Sequence, residues 1–146
     1  MDRPARLAAA ASGFIGTPFR LQGRNPACGL DCIGLVLASL AEVGIKVALP
    51  ADYRARRRSF AIPRDALLAA GLVEATGRPR AGDLLLLQTG PVQAHAAVSL
   101  TPGEIIHAHA SLKRVVRSPL PDSWAVLAIW RIAPKPVPKG DTSWQR

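Results

Sequence analysis

Two cysteines and three histidines are the side chains of this sequence best suited to nucleophilic or metal chemistry. Cys32 follows Asp31 where a Gly-, Asn- and Pro-rich stretch, 22–29, gives way to an apolar pattern at helical spacing. A thiol in the first turn of a helix lies near the positive end of the macrodipole, which favours thiolate. Asp31, placed to cap that helix, opposes the effect unless backbone N–H groups engage its carboxylate. A buried structural thiol is the competing reading, because free cysteine packs as a small hydrophobe. The histidines shift the balance toward a nucleophile. His95, His107 and His109 all fall in strand-like segments, and a Thr101-Pro102-Gly103 turn separates His95 from His107. Pairing around that turn brings two imidazoles together on one sheet face, and a helix packed on that face would add Cys32. A base can then take the thiol proton while a third group holds its ring and tautomer. His109 is two residues beyond His107 and shares its face; either can orient His95.

Zinc is the rival use of the same residues. The spacing Cys28-x3-Cys32 with His95-x11-His107 matches none of the common zinc patterns, so no metal is expected. Cys28 is read as a loop residue flanking the site. Four residues apart across a helix start, the two thiols suit a disulfide poorly and are expected reduced.

The elements that must position these groups follow from periodicity. Residues 3–14 read as an amphipathic helix. From 32 to 43, Leu35, Val36, Leu40 and Val43 recur at helical spacing, widened by Leu37 and Ala38, with Gly44 where a terminating glycine belongs. So broad a stripe implies a central, buried helix. A short helix fits 64–70. Strands are expected at 83–88, 95–100, 104–110, 114–117 and 126–132, separated by Pro- and Gly-containing turns. Helices first and antiparallel strands second argue for an α+β fold. One domain is expected over 1–133, followed by a loose tail, 134–146, with three prolines and two lysines.

Composition excludes other classes. The chain has 146 residues and is 49% apolar, enough to bury a core, but 25 of its residues are Ala and only seven are aromatic. The net charge of +9 suits an anionic partner such as nucleic acid, anionic lipid or cell-wall polymer, without choosing among them. Arg54, Arg56, Arg57 and Arg58 form the densest basic run. No aromatic residues interleave it and no nucleic-acid module accompanies it, so a solvated loop is expected and nucleic acid is not. No apolar run approaches the ~18 residues of a membrane helix. The Ala-rich start lacks a hydrophobic region strong enough for a signal peptide. The chain is therefore expected to be made in the cytoplasm.

The segments GTPFRLQGRNPACGLDCIGLV at 16–36, RAGDLLLL at 80–87, HAAVSL at 95–100 and IIHAHA at 105–110 together resemble the NlpC-type cell-wall cysteine peptidases. The likeness covers roughly 5–132, with order and spacing intact. More narrowly, it is similar to the tail-associated peptidases of bacteriophages and gene-transfer agents. The resemblance implies a papain-like core with the helix at 32–43 packed on an antiparallel sheet of about five strands. It implies Cys32 as nucleophile, His95 as general base and His107 as the orienting residue, with no cofactor. Phe19, Asp31 and His109 are the implied substrate-binding positions. The implied substrate is the stem peptide of peptidoglycan, cut between D-glutamate and diaminopimelate. Association with phage-like tail or hub proteins is implied too, the enzyme acting in a particle or at the cell wall. Two positions depart from the family: Phe19 stands where Tyr is common, and Ile33 where Ser follows the nucleophile. Both bear on substrate preference more than on chemistry. Alternatives are a structural tail-tip component with secondary catalysis, and a papain-like amidase or acyltransferase.

Overall fold

The computed structural model describes residues 2–49, 62–91 and 93–134. The Arg54–Arg58 run and nearly all of the C-terminal tail lie outside the described residues. Helix α1 (Arg3–Gly13) is capped by Asp2, whose carboxylate accepts the Ala5 N–H at 2.8 Å. A loop carrying the two-residue strands β1 (Arg24–Asn25) and β2 (Gly29–Leu30) leads into α2 (Cys32–Glu42). After α3 (Arg64–Ala69) come β3 (Leu72–Ala75), β4 (Leu84–Gly90), β5 (Gln93–Thr101), β6 (Glu104–His109), β7 (Arg114–Pro119) and β8 (Ala125–Ile132). The last six form one antiparallel sheet in the order β3-β8-β4-β5-β6-β7. The fold is α+β, as the order of elements predicts.

The sheet has six strands, not five. The extra one, β3, is four residues long with Val73 and Glu74 exposed, so it carries no alternation to read. It is a strand because β8 offers a partner, pairing Leu72 with Ile132 and Ala75 with Ile129. The β1–β2 pair is likewise a product of loop closure rather than of pattern.

Helix α2 is central for the reason its stripe suggests. Ile33, Leu35, Val36 and Leu40 are buried, and the helix stops where Gly44 turns to φ +80°. There the Ile45 N–H donates to the Leu40 carbonyl and the Gly44 N–H to that of Ala41, which satisfies the last-turn acceptors. Leu7 and Ala11 of α1 join this surface against Leu84, Ala96, Val98, Ile106, Ala108 and Trp130 of the sheet. The opposite face is smaller: Leu85, Leu87, Ala97, Ile105 and Ile129, backed by Leu120 and Trp124. Four consecutive leucines in β4 are thus explained by burial on both faces. Fully buried Asp83, just before β4, accepts Arg131 Nε at 2.9 Å and Nη2 at 2.8 Å, and the Arg80 N–H at 2.8 Å. That bidentate pair pins the entry of β4 to β8. Among the described residues no helix is long and apolar enough to cross a membrane.

One irregularity shapes the site. Strands β5 and β6 pair only through Val98–Ile106, Ser99–Ile105 and Thr101–Glu104, whereas β6 stays paired with β7 as far as His109–Arg114. Beyond Val98 and Ile106, β5 and β6 therefore part. His95 and His107 stand in that opening.

Candidate active site

The start of α2 is built by Asp31. Its Oδ1 accepts the Gly34 N–H at 2.8 Å, satisfying a first-turn donor, and its Oδ2 accepts the Gln22 N–H at 3.0 Å. Arg24 Nη1 lies 2.7 Å from Oδ1 and also donates to the Gly23 carbonyl at 3.1 Å. One buried carboxylate thus ties the preceding loop to the helix. The loop comes so close that a Cβ on Gly34 would lie 2.0 Å from the Gly23 oxygen, so that helical position requires glycine. The backbone N–H of Cys32 makes no hydrogen bond among the described residues, leaving it aimed outward from the helix end.

Cys32 is half-buried against the helix-side cluster and is a free thiol, as is exposed Cys28 in the β1–β2 turn. The backbone N–H groups of Ala96 and Ile33 lie near enough to its sulfur to favour the thiolate. Burial pushes the Cys32 thiol up, and the Asp31 carboxylate adds to this. The two N–H groups and the Arg24 guanidinium pull the other way without prevailing. The resting sulfur is a neutral thiol, in contrast to the thiolate that a helix N-terminus alone would favour.

The imidazoles do not stand on the face that α2 covers. Ala96, Val98, Ile106 and Ala108 point to the helices, so alternation turns His95, His107 and His109 to the other face, with Ala97 and Ile105. The expectation of a helix packed on the histidine face is corrected here. Cys32 approaches instead from the helix side at the parting of β5 and β6, where the N–H of Ala96, next to His95, meets the sulfur. No hydrogen bond joins the thiol to an imidazole among the described residues.

The histidines are joined to each other. His95 Nε2 lies 3.0 Å from His107 Nδ1, and His107 Nε2 lies 2.9 Å from Ser118 Oγ in β7. His107, not His109, is the residue that meets His95. His109 accepts the Leu112 N–H on Nδ1 at 3.1 Å and makes no bond to either ring. Trp124 packs edge-on against both His95 and His107, with centroids 5.9 and 5.7 Å away. Burial, with His109 nearby, pushes His95 down to about 4. His107 is also pushed down to about 4, by burial first and then by His95 and His109. Both rings are neutral at neutral pH, so His95 can accept a proton. A cavity of about 310 Å³ opens beside them, lined by His95, His107, His109, Gln93, Ser111 and Trp124 among others, but not by Cys32.

Of the implied substrate positions, His109 lines this cavity, whereas Asp31 and Phe19 do not. Asp31 is buried with both oxygens engaged internally, and Phe19 is half-buried against the helix-side cluster. Among the described residues no three His, Cys, Asp or Glu side chains gather as a metal site. Ser118 and the Ala96 N–H carry no signal in the sequence, and Trp124 stands out there only as the start of a Trp-containing last strand. Alternation places Ser118 on the face of Ile105 and His107 only once the β6–β7 register is known.

The NlpC/P60 family pattern matches residues 16–129. Among solved structures, the NlpC/p60 domain of the peptidoglycan hydrolase SagA is 27% identical, covering 80% of this chain and 88% of that one with a TM-score of 0.56. RipD from Mycobacterium tuberculosis, a non-catalytic NlpC/p60 domain protein adapted to peptidoglycan binding, is 19% identical, covering 90% and 98% with a TM-score of 0.58. NlpC1 from Trichomonas vaginalis is 20% identical with a TM-score of 0.65, covering 88% of this chain and 44% of that one. This chain thus spans less than half the length of that protein. The last two share the fold alone. No curated protein matches the chain.

Proposed function

Because the chain belongs to the NlpC/P60 family, we propose that it is a cysteine peptidase cleaving stem-peptide amide bonds of peptidoglycan, between D-glutamate and diaminopimelate. The observation that carries this reading is the delivery of Cys32 to the Ala96 N–H, beside a His95–His107 pair whose rings are neutral. Cys32 Sγ attacks the amide carbonyl as His95 takes the thiol proton on Nδ1. The free Cys32 N–H receives the developing oxyanion. His95 then protonates the leaving amine, and water activated by the same ring hydrolyses the thioester. Thiol and imidazole both start neutral, so proton transfer accompanies attack. The missing thiol–imidazole bond is compatible with this, because catalytic hydrogen bonds are often long before substrate binds. The site is proposed to lie in one domain, residues 1–133. Delivery by a phage-like tail, with the protein made in the cytoplasm, rests on the likeness to the tail-associated branch, which often ends with a Trp-containing strand, as at 124–132 here.

A second reading is favoured by the same missing bond and by the non-catalytic RipD: a peptidoglycan-binding or tail-tip component without turnover. Incubating the purified chain with bacterial sacculi separates the two. New free amines and cut stem peptides, absent with Cys32→Ala, are expected. Binding to sacculi without new amines in wild type and variant alike would establish the second reading instead.

A further inference from the structure

Among the described residues the Ser118 hydroxyl has two hydrogen-bond partners, His107 Nε2 at 2.9 Å and the Pro119 carbonyl oxygen at 3.1 Å. A carbonyl only accepts, so with both contacts made as hydrogen bonds the single hydroxyl proton goes to Pro119. The Ser118 oxygen then offers His107 only lone pairs, and His107 Nε2 must carry a proton to bond it. A neutral imidazole holds one N–H, which leaves His107 Nδ1 a bare acceptor. The group facing that nitrogen is His95 Nε2 at 3.0 Å, which must therefore donate. His95 Nδ1, which makes no hydrogen bond among the described residues, is left without a proton.

We propose that Ser118 is a positioning residue that sets the tautomers of both histidines, so that His95 presents an unprotonated Nδ1 as base. A main-chain carbonyl at the far end of the chain Pro119–Ser118–His107–His95 thus decides which nitrogen is free at the near end. The opposite polarity, with Ser118 donating to His107, would end with the proton on His95 Nδ1 and disable it. The tautomers rest on hydrogen-bond geometry alone; their catalytic consequence rests on the peptidase reading. The same chain has a second effect. When His95 gains a proton its Nε2–H becomes a charged donor, and a His107 ring held by Ser118 is the better acceptor for it.

Long-range proton–nitrogen correlation on the full chain carrying 15N-histidine reads which nitrogen of each ring is protonated. Nε2 is expected to hold the proton in both His95 and His107 at neutral pH. In Ser118→Ala, both rings should become mixtures of tautomers. Cleavage of a stem-peptide substrate should lose kcat by about tenfold, a part of the ~10²–10⁴ supplied by positioned acid–base groups, with KM nearly unchanged. The acid limb of its pH profile should move to lower pH, a change that mere loosening of β7 would not produce. Ser118→Thr should restore tautomers and rate. A proton on Nδ1 of either ring in the wild type, or tautomers unchanged in Ser118→Ala, would overturn the proposal. So would a threonine variant no better than alanine. Nε2-protonated rings in a chain that cuts nothing would refute the peptidase reading and leave the tautomer assignment standing.

Discussion

The two faces of the β-sheet are made of different materials. Toward α1 and α2 the strands present Leu84, Ala96, Val98, Ile106 and Trp130, closed under helices. Away from them they present a shorter apolar patch that runs into His95, His107, His109 and Trp124 beside an open cavity. Strand alternation makes this division possible, since neighbouring residues on β5 and β6 serve opposite faces. The proposed nucleophile on the helix side and the proposed base on the other side would never meet across an intact sheet. The parting of β5 and β6 beyond Val98 and Ile106 lets Cys32 reach the backbone next to His95. Stability and chemistry are therefore separable by face, joined at one gap.

That separation can be broken. The largest effect is expected from His95→Ala, which should lower amide cleavage by about 10²–10⁴-fold while the urea-unfolding midpoint scarcely moves. Equal losses in both would mean that the histidine face also holds the fold. Leu40→Ala, on the last turns of α2, should do the reverse. It is expected to cost about 2–5 kcal/mol of stability in urea melts, with kcat of the proposed cleavage retained in the folded chain. Asp83→Ala removes the buried acceptor shared by Arg131 and the Arg80 N–H and should cost about 1–3 kcal/mol in the same measurement. A further test reads the pH dependence of stability. His95 and His107 titrate about 4 in the folded chain, below the 6.5 of a free imidazole, so the unfolded chain binds more protons between those values. Stability should fall as pH drops from about 6.5 toward 4 and lose this slope below. In His95→Ala, urea melts across that range should show a shallower fall; an unchanged slope would remove the histidine face from the pH response.

Much of this was legible in advance. Helices at the start, the Asp31 cap, the Gly44 stop and five of six strands follow from periodicity and turn residues. β3 was not legible, because a four-residue edge strand exists only through its pairing with β8. Cys32, His95 and His107 stood out by type and spacing, whereas Ser118 carries no local signal. His107 and His109 were indistinguishable by alternation, since both project to one face. Only the diagonal reach from His95 across the opening separates them.

The sequence by itself determined which residues can react and on which elements they ride, because helical and strand periods are local properties of the chain. Tertiary structure alone decided that α2 covers the face opposite the histidines and that the thiol arrives through a break in the sheet. It also decided that the thiol and both rings rest neutral. These outcomes depend on register, on where pairing stops and on how much water burial removes, and none of them is a property of any short stretch of residues.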